Sequence, residues 1–142
     1  MAAQRGLNNL LWRFCWSDNM KFELDSARDG LTVKAYSRDS VLIGNTRYTG
    51  SLVITPSAIH TDLLPRHFAE LTASHLEAII SLGAEILLVG SGPKQIFLDS
   101  AITTQFGVRG IGVEVMGTAA ACRCYNVLAS EYRAVAAALF IS

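Results

Sequence analysis

Two glycine-containing stretches are the parts of this sequence best placed to do chemistry. Gly90-Ser91-Gly92 and Met116-Gly117-Thr118 each follow an apolar run and precede a segment with helical character. Open α/β sheets bind ligands where parallel strands end, and helix N-termini attract anions, to which Lys94 adds a positive charge. Neither stretch has the GxGxxG or Walker spacing of a nucleotide site. Tight turns and a helix cap at Thr118 explain the same residues, and we favour this simpler interpretation.

The helix that we predict from Thr118 onward carries the other reactive groups. Cys122 and Cys124 lie about 200° apart around a helix, so they cannot hold one metal ion together. Cys122 falls in the first turns, where the helix dipole lowers a thiol pKa, so a reactive thiol is one interpretation. We favour a small buried residue that packs against the sheet, because free cysteines are commonly buried.

Tyr125 and Asn126 are not favoured in a helix interior, which makes them candidates for binding. Beside Arg123 or Arg133 in a groove, they could bind a carboxylate or a peptide. A local ion pair with Glu131 is the simpler explanation for Arg133. The candidate ligand or partner cleft therefore consists of Gly90, Ser91, Gly92, Lys94, Met116, Thr118, Cys122, Arg123, Tyr125 and Asn126.

The histidines give no case for a metal site. His60, His67 and His75 are spaced by seven and eight residues, which matches no common zinc motif, so surface loops are the favoured location. The spacing places no histidine near Cys122, so a cysteine–histidine pair is unsupported. We therefore predict no catalytic residues, no metal and no cofactor, and the sequence favours a protein without enzymatic activity.

Composition excludes several classes of protein. The chain has 142 residues, of which 51% are hydrophobic and 17% charged, with a formal net charge of +0. Such a chain is globular, and its charge gives no electrostatic case for nucleic acid or an anionic membrane. No apolar run approaches the roughly 18 residues that span a bilayer. Three cysteines point to a reducing compartment, hence the cytoplasm, or the mitochondrial matrix if the source is eukaryotic.

The apolar pattern predicts an α/β fold. Apolar runs at 85–89, 111–116 and 134–140 alternate with helical segments at 99–108 and 118–130. Short connections make this a β-α-β-α-β core over residues 85–140 with parallel strands. Another helix is expected from about Thr72 to Leu82. We expect Ile96-Phe97-Leu98 to pair briefly or to fill the core.

An antiparallel hairpin over residues 40–55 precedes this core. Gly44-Asn45 is its turn, and residues 47–55 form its second arm. In the strand before it, alternation places Val33 and Ala35 on one face and Lys34 and Tyr36 on the other. Residues 1–19 are interpreted as a mobile tail or a start-site artefact, and residues 20–142 as one domain.

Three stretches of the chain resemble a known family, the Mth-type domain of unknown function. They are Ile43-Gly44-Asn45 with Tyr48 and Gly50-Ser51-Leu52, residues 86–92, and residues 110–128 followed by Glu131, Arg133 and residues 136–139. The resemblance covers roughly residues 31–140. It implies a three-layer α/β fold around a mixed sheet, no established enzymatic activity, and complex I assembly work in the mitochondrial branch.

The sequence departs from the family pattern at three positions. Gly117 stands where Asp is usual, Cys124 where Thr is usual, and Tyr132 where a turn usually has Gly. The first departure weakens any acid–base role at that strand end, and the third puts a bulky side chain at a turn.

These observations favour a non-enzymatic binding protein that resembles respiratory complex assembly factors. Its expected partners are proteins, such as respiratory-complex subunits or other assembly factors. We expect no nucleic-acid partner and no membrane span. One alternative is a small-molecule or anion binder, or a modest enzyme, that uses the cleft of residues 90–94 and 116–126. The other is a homo-oligomeric structural protein.

Overall fold

The computed structural model describes residues 31–141, and the expectations for residues 1–30 lie outside this part of the chain. The described residues form eight strands, three α-helices and one short 3-10 helix (Phe68–Glu70). The strands are β1 (Val33–Ser37), β2 (Ser40–Ile43), β3 (Thr46–Tyr48), β4 (Leu52–Ile54), β5 (Ile59–His60), β6 (Ile86–Gly90), β7 (Gly112–Met116) and β8 (Val135–Leu139). The helices are α1 (Ala73–Ile80), α2 (Ser100–Gly107) and α3 (Thr118–Ser130).

The larger sheet has the strand order β5-β4-β8-β6-β7. Strands β7, β6 and β8 are parallel, and β4 is antiparallel both to β8 and to β5. Helix α2 connects β6 to β7, and α3 connects β7 to β8. The predicted β-α-β-α-β core and the mixed sheet are therefore confirmed. Strand β6 is apolar along its length because both of its neighbours and both faces of the sheet cover it.

The smaller sheet contains β1, β2 and β3 in that order, all antiparallel. The turn between β2 and β3 is at Gly44-Asn45, as predicted, and Gly44 has a φ of +61°. The predicted second arm over residues 47–55 is wrong in one respect, because it is two strands in two sheets. Strand β3 pairs with β2, whereas the apolar β4 pairs with β8, where its three side chains are fully buried. Burial of β4 decides its partner.

Helix α3 lies between the two sheets and defines the layers of the fold. Its buried side chains Tyr125 and Leu128 share one core with Val33 and Ile43 from the smaller sheet and Leu88 from the larger one. The opposite face of the larger sheet packs against α1 and α2 in a second core. A helix that is covered on two sides is rich in alanine because small side chains let both sheets approach.

A bulge in β1 reverses the predicted orientation of Tyr36. The register between β1 and β2 shifts between Val33 and Ala35. Both Val33 and Tyr36 are buried, whereas Lys34 is exposed. Because one extra residue turns the following side chains to the other face of a strand, the alternation predicted from Val33 fails at Tyr36.

Strand β6 and the first turn of α3 approach each other closely at Gly90. A Cβ atom at this position would lie 2.9 Å from both the Cα and the Oγ1 atoms of Thr118. Only glycine fits there without a shift of the backbone, so Gly90 fixes the start of α3 against the end of β6.

Candidate functional site

An open cleft lies where β6 and β7 end, where α3 begins and where β1 turns into β2. Its volume is about 360 Å³. Among the described residues, it is lined by Tyr36, Arg38, Gly92, Pro93, Lys94, Gly117, Thr118 and Ala119. Gly92, Lys94 and Thr118 belong to the predicted cleft. Tyr36 and Arg38 come from the smaller sheet and were not among the predicted site residues.

The first turn of α3 forms one wall of the cleft. Gly117 is the N-cap residue and has no side chain that could accept a hydrogen bond from the helix. The Thr118 N–H donates to the Gly92 carbonyl over 2.8 Å. The Thr118 hydroxyl accepts from the Gly92 N–H and donates to the Phe140 carbonyl. The N–H and the hydroxyl of Thr118 are therefore both bonded within the fold, whereas the Ala119 N–H has no acceptor among the described residues.

Ser91 shapes the loop that carries Lys94. Its hydroxyl lies 2.6 Å from the Lys94 carbonyl oxygen, to which it donates, and it accepts from the Ile96 N–H over 3.0 Å. Its own N–H donates to the Met116 carbonyl. The buried residues Gly90, Ser91 and Met116 thus support the cleft from beneath and leave Lys94 exposed at its edge.

Tyr36 adds a buried aromatic side chain to the lining of the cleft. The residue is only 4% exposed, and its buried hydroxyl has no hydrogen-bond partner among the described residues. Burial raises the pKa of Tyr36, with a further increase from the neighbouring Cys122, while the Arg38 guanidinium lowers it. The hydroxyl is therefore protonated at neutral pH and is available as a donor.

Cys122 and Cys124 lie in the buried part of α3. Burial holds the pKa of the Cys122 thiol well above its ordinary value of 9.0. A protonated, fully covered thiol is a poor nucleophile, which agrees with the packing role favoured above. Cys124 is buried as well.

Tyr125 and Asn126 form hydrogen bonds with Leu31 and with Val33, the first residue of β1. Asn126 Oδ1 accepts from the Val33 N–H over 2.9 Å, and Nδ2 donates to the Val33 carbonyl over 2.8 Å. The Tyr125 hydroxyl donates to the Leu31 carbonyl over 2.7 Å. Both residues are buried, as is Arg123. None of the three is among the described residues that line the cleft.

The three histidines are separated, and the described residues contain no group of His, Cys, Asp or Glu that could hold a metal ion. His60 lies in β5, and His75 Nδ1 accepts from the Thr72 N–H at the start of α1. In the same part of the chain, no helix has the length and the hydropathy needed to cross a bilayer.

Apolar side chains are exposed on the loop after Lys94 and at the end of α2. Phe97 is 78% exposed and Ile96 is 49% exposed, and Val108, at the end of α2, is 80% exposed. The expectation that residues 96–98 pair or fill the core is therefore wrong for the first two. The Ser91 hydroxyl holds the Ile96 N–H, and the Gln95 side chain donates to the Val115 carbonyl. These bonds fix the loop while its apolar side chains face outward.

Comparison with known proteins places this chain beside proteins of the same family and fold. The family described as "Protein of unknown function (DUF498/DUF598)" matches residues 33–140. The NADH dehydrogenase [ubiquinone] 1 alpha subcomplex assembly factor 3 of Xenopus tropicalis is 33% identical over 120 residues. That match covers 84% of this chain but 65% of the relative, so the chain spans slightly less than two thirds of its length.

Two solved bacterial structures have the same fold. A crystal structure of a Bordetella parapertussis protein is 32% identical and has a TM-score of 0.74, over 82% of this chain and 99% of that one. The solution structure of a Bordetella pertussis protein, described as a Mth938-like domain, is 28% identical with a TM-score of 0.69. It matches 85% of this chain and 92% of its own.

Proposed function

We propose that this chain, which belongs to the DUF498/DUF598 family of proteins of unknown function, is a non-enzymatic binding protein that assists the assembly of a larger complex. The resemblance to the Mth-type family is confirmed by the family match and by the Mth938-like structure. Its relatives include assembly factors of NADH dehydrogenase. The partners would be subunits of a respiratory complex or further assembly factors, in the cytoplasm of a bacterium or the matrix of a mitochondrion.

The loop of residues 95–98 is the observation that supports this proposal best. An assembly factor has to present apolar surface to its partner, whereas a small-molecule enzyme encloses its substrate. Here the cleft is open, and the neighbouring loop exposes Ile96 and Phe97. Aromatic side chains commonly carry much of the energy of a protein interface.

The loop is also held in place before a partner arrives. Ser91 and Gln95 anchor it through hydrogen bonds to Lys94, Ile96 and Val115. A loop that is already ordered loses little conformational entropy on binding, so its exposed side chains contribute more to affinity.

Capture of partners from a native lysate tests the proposal. The tagged protein, its Phe97→Ala variant and its Val108→Ala variant are compared by quantitative mass spectrometry. Phe97 and Val108 are equally exposed, so the second variant controls for the loss of exposed apolar surface. We expect respiratory-complex subunits or assembly factors with the unaltered protein and with Val108→Ala, and roughly ten-fold less with Phe97→Ala, as for an interface hot spot.

Two results would contradict the proposal. The first is recovery of no such subunit, or equal losses with both variants. The second is self-association of the protein. Light scattering over a concentration series measures it. A dimer that Phe97→Ala dissociates would assign the loop to contact between copies of this chain.

A further inference from the structure

We propose that the cleft binds the phosphate group of a small phosphate monoester, held by the first turn of α3, the Tyr36 hydroxyl and the side chains of Arg38 and Lys94. This site adjoins the exposed loop of residues 95–98 proposed as the protein-binding surface but shares no lining residue with it. It requires no enzymatic activity.

The start of α3 provides backbone donors for an anion. Gly117 gives the helix no side-chain cap, and the N–H of Ala119, a residue that lines the cleft, has no acceptor among the described residues. A helix of thirteen residues concentrates partial positive charge at such an end. A phosphate oxygen placed there would complete the missing hydrogen bond.

Tyr36 is the independent observation that points to a ligand. A tyrosine that is 4% exposed normally finds a partner for its hydroxyl, because an unpaired buried donor destabilises the fold. Tyr36 lines the cleft, and its hydroxyl has no partner among the residues that the structure describes. A bound oxyanion would accept this hydrogen bond.

Two cations complete the site. Arg38 lies at the turn after β1 and Lys94 on the loop after β6, and both line the cleft. Within residues 31–141, neither side chain has an ion-pair partner or a hydrogen-bond acceptor. Asp39 is the carboxylate whose charge acts on Tyr36, where it opposes the charge of Arg38. The surplus of positive charge matches a phosphate monoester, which carries a charge of about −1.5 to −2 at neutral pH.

The size of the cleft favours a monoester over inorganic phosphate. Its volume of about 360 Å³ lies at the lower end of the roughly 300–1,000 Å³ of small-molecule sites. A phosphate ion would leave much of that space to water, while a small organic group on the ester would fill it between Pro93 and Ala119.

An NMR titration of the full chain tests the proposal. Glycerol phosphate and inorganic phosphate are the probes, and sodium acetate and sodium chloride at equal ionic strength are the comparison anions. We expect saturable changes at the amides of Gly117 and Ala119 with both phosphates, tighter with the ester. Loss of a charge-assisted hydrogen bond should weaken binding on the order of ten-fold for each of Arg38→Gln, Lys94→Gln and Tyr36→Phe.

Matched variants separate the site from general charge effects. Arg66→Gln and Lys34→Gln remove the same charges at exposed positions that do not line the cleft, and they should leave the affinity within about two-fold. Gly117→Asp places a carboxylate at the N-cap and should abolish the saturable changes, whereas Gly117→Ala should retain them.

Each remaining outcome would overturn the proposal. These outcomes are no saturable change with millimolar glycerol phosphate, an equal response to chloride, or equal weakening by Arg66→Gln and Arg38→Gln. Acetate binding as tight as that of glycerol phosphate would assign the cleft to carboxylates and reject the phosphate.

Discussion

The start and the middle of α3 differ in how their polar groups are bonded. In the middle of the helix, Tyr125 and Asn126 spend every described side-chain hydrogen bond on β1 and its approach. At its start, Gly117 offers no cap, and the nearby Tyr36 hydroxyl has no partner in the described chain. The bonds of Tyr125 and Asn126 hold β1 against the helix, whereas the cleft at the start of the helix has donors without an acceptor among the described residues. Bonds of the first kind hold the fold together, and donors of the second kind are candidates for binding a ligand.

The largest effect should come from Asn126→Ala. Loss of the amide leaves the Val33 N–H and carbonyl unpaired and opens a cavity beneath β1, so we expect the free energy of unfolding to fall by about 3 kcal/mol. Urea denaturation followed by circular dichroism gives this value. Ser130→Ala, which removes a local bond to the Val127 carbonyl, is the control and should cost less than about 0.5 kcal/mol. Equal costs would mean that β1 does not depend on Asn126.

A pair of glycine substitutions tests the other region. In Gly90→Ala the new Cβ would meet the Thr118 backbone at 2.9 Å, whereas in Gly117→Ala it would lie 3.5 Å from the Gly92 carbonyl oxygen. We expect the first to cost about 2 kcal/mol through overpacking and the second to be nearly neutral. Thermal unfolding measures both. A neutral Gly90→Ala would show that the start of α3 can move.

Alkaline pH should lower the free energy of unfolding, because the Cys122 thiol and the Tyr125 hydroxyl are buried in the middle of α3. The pKa of the Cys122 thiol is raised above 9.0 by burial, and that of Tyr125 above 10.0 by the same cause. Above these ordinary values the unfolded chain loses protons that the folded chain keeps. Stability is therefore full below pH 9.0 and then falls by about 1.4 kcal/mol per pH unit for each group.

Denaturation at a series of pH values measures this slope. Cys122→Ala should remove its first part, which begins near the ordinary thiol pKa of 9.0, and leave the part that begins near 10.0. An unchanged slope in that variant would mean that Cys122 is already accessible in the native state.

The smallest effects should have opposite signs at two tyrosines. Tyr125→Phe removes a hydroxyl that donates to the Leu31 carbonyl, so it should destabilise the protein by about 1 kcal/mol. Tyr36→Phe removes a buried hydroxyl without a described partner and should stabilise the protein by about 1 kcal/mol in phosphate-free buffer. Denaturation of both variants in one buffer gives the comparison. Destabilisation by Tyr36→Phe would show that its hydroxyl is satisfied in solution.

Local pattern was sufficient for the elements that form the core. The apolar runs that became β6, β7 and β8, with glycine or threonine at their boundaries, gave the correct alternation of strands and helices. The prediction failed where tertiary pairing decides. Strand β4 pairs with β8 in the larger sheet instead of extending the predicted hairpin, and Phe97 lies on the surface although its neighbours are apolar.

The candidate site was predictable only in part for the same reason. Gly92, Lys94 and Thr118 follow from the rule that α/β sheets bind ligands at strand ends. Tyr36 and Arg38 come from a different sheet, and the bulge in β1 turns Tyr36 inward against the simple alternation. The assignment of Tyr125 and Asn126 to the cleft stays a prediction without support from its lining, since their bonds to residues 31–33 depend on a distant segment.

The position of β8 affects how the protein folds during its synthesis on the ribosome. This strand is the last of the described strands to be synthesised, yet it lies between β4 and β6 in the larger sheet. Until β8 leaves the exit tunnel, the nascent chain carries two apolar strands with unpaired edges. Such edges are what chaperones bind and what aggregation starts from. The larger sheet can therefore close only after β8 is available, and both edges stay unpaired until then.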